Sequence, residues 1–411
     1  MKQIIRILPL LVFIGCSGKN DKAQEPSTPA IAAVAPTSAG LSPSEASNYR
    51  KIAQRFYDSL LGRGRFNGSF LVAKNGEIVY EHYAGFRNPR IRKDSITPST
   101  SFHLASVSKT FTAMATLKLW EEGKLQIDAP VATYLTGFPI PDVTVRMLLN
   151  HRSGIPNYVH YMERLGWDRK KAVTNQDVLD FIIARKKDIQ LAKPDTHFSY
   201  SNTNYALLAL IIEKVSGQNF GEFLRLTFFE PLGMKDTYVF NDKMKELSLS
   251  SYFYSGREYA FDYLDMVYGD KNIYSTVRDL LKWDQALNGG LMFKRETLEA
   301  AYTGYSNEKK GINNYGLGWR MQLLPNGKKF IYHNGWWHGN RTAFYRLIDE
   351  NATIIALSNN DYTPVYKSKK LADVFGNYFG NRSDDSDMEQ GQTVLSNSAS
   401  ISRSRDGGSG K

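Results

Sequence analysis

The chain has 411 residues, enough for one large domain or two modest ones. Its 42% hydrophobic and 23% charged residues are typical of a globular protein that buries a sizeable core. The net charge is +11, but the basic residues are scattered in short groups such as 169–171 and 185–187. A nucleic-acid site needs such residues clustered, so the charge indicates a basic solvated surface, which would also suit an anionic surface such as a cell envelope.

The N-terminus has the pattern of an export signal. Lys2 and Arg6 give a positive start, an apolar run spans residues 7–14, and Cys16 follows. The run is too short to cross a bilayer as a mature helix. The stretch that ends at Cys16 resembles a bacterial lipobox, in which the cysteine becomes the lipidated first residue, although Phe13 stands where Leu is usual. The alternative is an ordinary signal peptide that contains a cysteine; in both cases the mature chain has no disulfide.

Composition divides the remainder into a tether, a body and a tail. The tether is rich in Ser, Pro, Ala and Gly, and the tail cannot bury enough apolar surface to order itself. No internal repeat is present. The predicted segments are a lipoprotein-type signal at 1–16, a flexible linker at 17–45, a folded body at 46–382 and a disordered tail at 383–411.

The body begins with a helix, and β-forming segments follow it. Residues 46–62 are predicted to be helical. Two β-rich runs then flank Asn75–Gly76, a dipeptide typical of a tight hairpin turn. The sequence therefore predicts a helix followed by a β-hairpin.

Strands return near the C-terminal end of the body. Turns separate three apolar or alternating runs, which predict successive antiparallel strands at 329–333, 341–348 and 353–357. A last helix is predicted near 364–379, and residues 110–290 are mostly helical in pattern. We therefore expect an α/β (α+β) fold, with one antiparallel sheet built from N- and C-terminal strands, flanked by helices, and a mostly helical subdomain.

Ser106 and Lys109 open an apolar helix that ends at Gly123. Positions i and i+3 share one helix face, so the two side chains can meet. Serine needs a neighbouring base to become a good nucleophile, and burial favours a lysine that can take its proton. The helix N-terminus adds backbone donors for a developing oxyanion. A helix cap with a snorkelling lysine is the alternative, because this spacing also arises by chance.

The same spacing occurs again at Ser306 and Lys309, in a polar stretch with no apolar helix behind it, which indicates a surface loop. Tyr200 and Asn202 precede a second apolar helix that ends at Gly217. Beside a lysine, a tyrosine can serve as a base, and an asparagine amide can orient an amide or ester substrate.

His333, Asn334 and Gly335 are predicted to lie where a strand through 330–332 ends. A glycine there would let a ligand approach the backbone closely. The N–H of Trp336 could then join that of Ser106 as an oxyanion pair. A strand-end histidine with only local hydrogen bonds is the alternative interpretation of His333.

These motifs, in this order, resemble the serine β-lactamase and penicillin-binding-protein superfamily. The resemblance is to the branch of class C β-lactamases, D-alanyl-D-alanine carboxypeptidases and esterases, where the second motif is Y-x-N, and it covers about residues 50 to 375. Five further stretches also look familial, at 85–86, 148–156, 231–234, 274–280 and 315–319.

The resemblance implies a β-lactamase/transpeptidase-like fold and an acyl-enzyme on Ser106. Lys109 and Tyr200 would form the proton network, Asn202 would orient the substrate, and residues 333–336 would line a strand edge. With no separate carboxylate to assign as the deacylation base, Tyr200 is the candidate for both steps. We predict an exported serine hydrolase of peptidase or esterase type without cofactor or metal. Its substrate would be a small peptide, an ester or a β-lactam-like molecule.

Two positions depart from the family pattern. His333 stands where many members have lysine, and a histidine near neutral pH is mostly uncharged unless a partner raises its pKa, which disfavours efficient β-lactam hydrolysis. Asp195 stands where glycine is frequent, a minor change because Asp tolerates some turn conformations. A true β-lactamase and an inactive cell-wall peptide-binding relative stay open as alternatives.

Two other hydrolase classes lack support. The sequence has no G-x-S-x-G elbow and no H-E-x-x-H pair, and His151 is interpreted as a loop residue rather than a metal ligand. We expect a location in the bacterial cell envelope, facing the periplasm or as an outer-membrane lipoprotein anchored at Cys16. The oligomeric state and the physiological substrate are left open.

Overall fold

The computed structural model describes residues 40–290 and 292–380. The predicted signal with Cys16, most of the predicted linker and the whole predicted tail fall outside these residues. The first helix begins at Pro43, slightly before the predicted start of the body. Among the described residues, no helix combines the length and the apolar character needed to cross a membrane.

Helices fill the middle of the chain and flank the sheet. The α-helices are α1 (Pro43–Phe56), α2 (Ser108–Glu121), α3 (Val145–Leu149), α4 (Tyr158–Arg164), α5 (Asn175–Arg185), α6 (Asn202–Ser216), α7 (Phe220–Leu224), α8 (Val277–Asn288) and α9 (Arg295–Ala301). Short π-helical segments span Tyr57–Leu61 and Arg225–Phe229, and 3₁₀ segments span Ala105–Val107, Val131–Thr133, Asp242–Met244 and Thr363–Val374. The last of these is the predicted C-terminal helix, which ends earlier than expected.

The strands form one large sheet and two small ones. They are β1 (Gly68–Lys74), β2 (Glu77–Ala84), β3 (Phe86–Asn88), β4 (Lys93–Ser95), β5 (Phe102–His103), β6 (Tyr238–Val239), β7 (Ile273–Ser275), β8 (Asn313–Tyr315), β9 (Arg320–Leu323), β10 (Lys329–Trp337), β11 (Asn340–Leu347) and β12 (Ala352–Ser358). In the described part of the chain, seven strands pair antiparallel in the order β2-β1-β12-β11-β10-β9-β8. The predicted sheet of N- and C-terminal strands is therefore confirmed.

The hairpin at Asn75–Gly76 is also confirmed. Both residues have positive φ, 54° and 78°, as a two-residue turn between β1 and β2 requires. At the other end of the body, however, β10 runs on to Trp337. Our placement of His333–Gly335 at a strand end is wrong, because β11 continues to supply partners as far as Asn340, opposite Trp337. The motif lies inside the strand.

The alternation of side chains along the central strands creates two cores. On β1, Phe70 and Val72 pack on the face covered by α1 and the 3₁₀ segment Thr363–Val374. Leu71 and Ala73 point to the opposite face, which belongs to the larger core containing α2, α6 and α8. Because both faces are covered, β1, β11 and β12 are buried almost throughout. This layering fixes α2 against the sheet and so sets the position of its N-terminus.

Candidate active site

Three segments that are far apart in the sequence meet at the N-terminus of α2. The Nζ of Lys109 lies 3.2 Å from Ser106 Oγ and 2.8 Å from Asn202 Oδ1. Thr342 of β11 donates from Oγ1 to the carbonyl of Leu104 at 2.7 Å, which ties the sheet to the segment before Ser106. The structure thus brings together the first and second motifs and places the third strand beside them.

Ser106 lies in the 3₁₀ turn Ala105–Val107, which leads directly into α2. The preceding Ala105 has a φ of 50°, a conformation that costs a non-glycine residue about 1–3 kcal/mol. Its N–H donates to His103 Nδ1 at 3.0 Å, and His103 is itself buried. The surrounding structure holds this strained backbone, and with it the direction in which Ser106 emerges.

Lys109 is completely buried, and three oxygen atoms surround its Nζ. Besides Ser106 Oγ, it donates to Asn202 Oδ1 and to the main-chain carbonyl of Asp270 at 2.7 Å. An amide oxygen and a carbonyl can only accept, so two of the Nζ positions must carry protons. The remaining position faces a hydroxyl, which can donate or accept. This geometry lets the amine take the proton of Ser106 without moving.

Two basic side chains lie near the ring of Tyr200. The Nζ of Lys109 is 5.0 Å from its ring centroid, and the guanidinium of Arg320 is also 5.0 Å away. His151 packs on the same ring at 4.4 Å between centroids. The Nδ1 atom of His151 accepts a hydrogen bond from the N–H of Ser201 at 3.2 Å. This bond agrees with the interpretation of His151 as a loop residue. His151 therefore holds the segment that carries Tyr200 and Asn202.

His333 is buried within β10 and uncharged. Burial is the main reason that its pKa lies well below the usual range, and the positive charges of Arg320 and Lys109 lower it further. Its Nδ1 lies 2.7 Å from the carbonyl of Asn334, which can only accept, so Nδ1 carries the proton. Nε2 then accepts from the hydroxyl of Tyr315 at 3.2 Å. His333 supplies no positive charge to a substrate.

The structure fills the space beside Gly335 with the chain itself, and the predicted role of this glycine in ligand approach stays a prediction. A Cβ at this position would lie 2.2 Å from Thr342 Oγ1 and 2.3 Å from the carbonyl of Leu104. The space is filled by the chain itself, so the glycine allows β10 to pack against the Ser106 segment. Trp336 follows at this contact, and its pairing with the N–H of Ser106 as an oxyanion site stays a prediction. The side chain of Trp336 is held elsewhere, since its Nε1 donates to the carbonyl of His338 at 3.1 Å.

Sequence reasoning missed three contributors. Asp270 acts through its main-chain carbonyl, which any residue could supply, so no side-chain signal marks it. Tyr315 lies in a stretch that was noted as familial but received no role. Arg320 begins β9, a strand that the sequence analysis did not predict, and its guanidinium reaches the ring of Tyr200 across the sheet.

A separate cluster of Asp262, Asp265 and His338 has ligand atoms within 4.8 Å of one another. Donors already occupy the Asp265 carboxylate: Trp337 Nε1 at 2.6 Å, His338 Nε2 at 2.9 Å and the N–H of Asp262 at 2.7 Å. Burial opposes charge on His338, but the hydrogen bond and charge of Asp265 outweigh it and raise the pKa of His338. The cluster therefore works as an ion pair that fastens the β10–β11 turn.

Buried neutral histidines near the site predict loss of stability in acid. Burial is the first cause that lowers the pKa of His103 to about 4 and that holds those of His151 and His333 well below 6.5. Below about pH 6.5 the unfolded chain binds more protons at these positions, so the free energy of unfolding should fall as the pH falls. The raised pKa of His338 acts in the opposite direction and offsets part of this loss.

Urea unfolding between pH 7 and pH 5 measures this slope. In His333→Gln the slope should be smaller than in the parent protein by about 1 kcal/mol per pH unit. His197→Gln, at an exposed histidine, is the matched control and should leave the slope unchanged. A parent protein whose stability rises steadily towards pH 5 would contradict the neutral, buried state of these side chains.

Comparison with known proteins agrees with this arrangement. The Beta-lactamase family matches residues 52–375. Penicillin-binding protein 4* of Bacillus subtilis is 33% identical over 343 residues, which are 79% of this chain and 75% of the relative. A D-aminopeptidase of Brucella anthropi is 28% identical over 300 residues, 71% of this chain but only 56% of the longer relative.

Solved structures share the fold. The octameric penicillin-binding protein homologue from Pyrococcus abyssi superposes with a TM-score of 0.68 at 28% identity, and the match covers 79% of this chain and 77% of that one. The match to the family spans the Ser106 turn, the Tyr200 segment and β10 alike. The chain is a serine hydrolase that belongs to the β-lactamase family, within the serine β-lactamase and penicillin-binding-protein superfamily.

Proposed function

We propose that the protein hydrolyses an amide or ester bond through an acyl-enzyme on Ser106. The observation that carries this proposal is the 3.2 Å contact between Lys109 Nζ and Ser106 Oγ, at an amine whose two other partners can only accept. An amine held in this way can act as a base towards one atom only, the serine hydroxyl.

The proposed reaction has two halves. Ser106 Oγ attacks the substrate carbonyl carbon while its proton passes to Lys109, and the proton then leaves with the departing amine or alcohol. Water next attacks the ester carbon, gives a proton to the same network, and releases the acid as Ser106 regains its proton. The ring centroid of Tyr200 lies 5.0 Å from Lys109 Nζ, and we propose that its hydroxyl relays protons in both halves.

We further propose that the substrate carries a carboxylate near the scissile bond. Arg320 forms no ion pair within 4 Å in the described part of the chain, and its guanidinium lies over the ring of Tyr200. His333 is neutral and offers a substrate carboxylate no positive charge. Since a lysine is missing from the third motif, Arg320 is the residue of this site best placed to bind an anionic group.

The relatives suggest the stereochemistry of the substrate. One relative is named as a D-aminopeptidase, and the chain spans only about half of its length. We propose short peptides, amides or esters that contain a D-amino acid as the substrate class. A panel of p-nitrophenyl esters, a chromogenic cephalosporin, D-Ala-D-Ala peptides and peptides with an N-terminal D-residue tests this proposal. Fastest turnover of the cephalosporin, by orders of magnitude, would indicate a true β-lactamase, and no turnover at all an inactive binding protein.

Arg320→Gln tests the carboxylate anchor. Hydrogen bonds to charged groups contribute about 1.5–3 kcal/mol, so kcat/KM for a peptide with a free C-terminal carboxylate should fall about 10- to 100-fold. The same peptide with an amidated C-terminus should change much less, and Arg320→Lys should recover part of the loss. An equal loss for both peptides would show that Arg320 supports Tyr200 rather than the substrate.

We also propose export, with a lipid on Cys16 that holds the protein at the cell envelope. The support for this proposal is the sequence of the N-terminal segment, namely the positive start, the apolar run at 7–14 and the lipobox-like ending.

A further inference from the structure

A groove lined by arginines lies at the end of the sheet where β1 begins and β12 ends. Its volume is about 840 Å³, and its walls include the four guanidinium groups of Arg65, Arg90, Arg92 and Arg257. The remaining lining is aromatic, small or amide-bearing, and among the described residues that line it none is Asp or Glu. We call this groove, with all the residues that line it, the arginine groove.

Aromatic rings and a main-chain carbonyl hold three of the four guanidinium groups in place. Arg65 lies 5.3 Å from the ring centroid of Tyr254 and donates to its carbonyl at 3.2 Å. Arg92 lies over Phe86 at 5.0 Å, and Arg257 lies over Phe253 at 4.3 Å. In the described ranges of the chain, none of the four arginines of the groove has a carboxylate within 4 Å. Three of the four positive charges are therefore held in position, and no carboxylate of the described residues lies close enough to neutralise any of the four.

Exposed apolar side chains flank the same groove. Leu247, Ile91 and Tyr254 are 73%, 63% and 53% exposed, the highest values among the large apolar side chains of the described residues. Ile91 lies between Arg90 and Arg92 in the turn that joins β3 to β4. Single exposed apolar residues are normal on a protein surface. Here, however, the three most exposed ones flank one basic groove, which indicates an interaction surface.

Local contacts place Tyr254 at the groove and Leu247 near β3. Tyr254 occupies a turn closed by the N–H of Phe253, which donates to the carbonyl of Arg257 at 2.8 Å. Leu247 lies beside β3, because its carbonyl accepts from Arg87 Nη2 at 2.9 Å. Two loop tips on either side of the groove thus combine an apolar side chain with neighbouring arginines.

We propose that this face docks on a membrane surface of anionic phospholipid. Unpaired guanidinium groups match lipid phosphates, and the apolar tips match the boundary between headgroups and acyl chains. A soluble polyanion would use the groove but would gain nothing from Ile91 and Leu247. The acidic residues next to these apolar side chains in sequence, Asp94, Glu246 and Glu258, are exposed and do not line the groove.

The groove is connected to the end of β10. A Cβ on Gly339 would lie 2.2 Å from the carbonyl of Tyr252, a groove residue. Tyr259, which stacks on Phe253, also lies 5.3 Å from His338, ring to ring. Docking would therefore bring the β10–β11 turn close to the membrane.

Vesicle co-sedimentation tests the proposal. The full chain carrying Cys16→Ser, so that no acyl anchor contributes, is mixed with vesicles of phosphatidylcholine alone or with phosphatidylglycerol. Binding should rise with the phosphatidylglycerol fraction and weaken with added salt. For the variant R65Q/R90Q/R92Q/R257Q, the partition coefficient into the anionic vesicles should be lower by roughly tenfold or more.

Matched variants separate the groove from net charge. R55Q/R164Q/K171Q/K187Q removes the same charge at exposed positions elsewhere and should bind like the parent. I91S/L247S should weaken binding several-fold, whereas I183S/L226S, at exposed apolar positions of 39% and 38%, should not. Retained turnover of a p-nitrophenyl ester shows that each variant is folded.

Two results would overturn the proposal. One is equal vesicle binding by the groove variants and their controls. The other is vesicle binding that the arginine changes weaken and I91S/L247S leaves unchanged, and with which soluble polyphosphate competes as well as anionic vesicles do. That result would assign the groove to a soluble polyanion. If the quadruple variant fails to fold, the pair R90Q/R92Q at the β3–β4 tip carries the same comparison.

Discussion

Replacing Ser106 with alanine is expected to abolish hydrolysis of the esters and peptides that the parent protein cleaves, a loss in kcat on the order of 10⁴-fold or more. The change removes the atom that we propose becomes acylated and leaves the Lys109 site otherwise intact. Because Ser106 lies in a short 3₁₀ turn and, among the described residues, its side chain makes one hydrogen bond, with Lys109, the fold should persist. Steady-state kinetics together with thermal unfolding measures both effects.

The chain contains its own control for this experiment. Ser306 has the same spacing to Lys309 as Ser106 has to Lys109 but lies in a loop before β8. Ser306→Ala should keep the activity of the parent protein. Retention of turnover by Ser106→Ala, or its loss in Ser306→Ala alone, would move the nucleophile away from α2.

Replacing Lys109 with methionine should reduce the rate of acylation about 10³-fold, because general bases typically contribute 10²- to 10⁴-fold. Methionine fills a similar volume but cannot take the proton of Ser106. The readout is the rate at which a phosphonate probe labels Ser106. Stability should fall as well, because Asn202 Oδ1 and the carbonyl of Asp270 lose their donor.

Lys271 is the matched control for this second prediction. It is also buried, at 2% exposure, and its Nζ donates to the hydroxyl of Tyr158 at 2.6 Å. It belongs to the same loop as Asp270 but makes no contact with Ser106. Lys271→Met should therefore lose stability while labelling proceeds within about tenfold of the parent rate. Equal loss of labelling in both variants would mean that Lys109 serves only to hold the fold.

The sequence predicted the elements that local signals define. The turn at Asn75–Gly76 and the alternating strands near the C-terminus follow from short patterns, and the pairing of both ends of the body in one sheet follows from their order. The sequence misplaced the end of β10, because an Asn-Gly pair at 334–335 is typical of a turn. Only the partner strand β11, which continues to Asn340, shows that the pairing goes on.

In the candidate site too, some residues could be predicted from the sequence and others could not. Ser106, Lys109 and Asn202 carry side-chain chemistry in recognisable spacing, and the structure brings them within hydrogen-bonding distance. The carbonyl of Asp270 and the guanidinium of Arg320 could not be predicted from spacing. A main-chain oxygen has no sequence signature, and Arg320 reaches Tyr200 only because β9 and β10 pair.

Gly335 shows what a sequence pattern leaves open about a glycine. The sequence analysis predicted that Gly335 lets a ligand approach the backbone, and in the structure a Cβ at this position would lie 2.2 Å from Thr342 Oγ1. A sequence does not reveal which neighbour fills the space. Here the neighbour is the backbone before Ser106, so Gly335 sets the distance between the strand and the nucleophile.

The central claim is that Ser106 becomes covalently acylated during turnover. The most direct measurement is mass spectrometry of the protein quenched in acid during hydrolysis of an activated ester, followed by peptide mapping of the adduct. We expect an added mass equal to the acyl group, on the peptide that contains Ser106, absent in Ser106→Ala and present in Ser306→Ala. An acyl group on any other residue, or an adduct of undiminished yield in Ser106→Ala, would contradict the account.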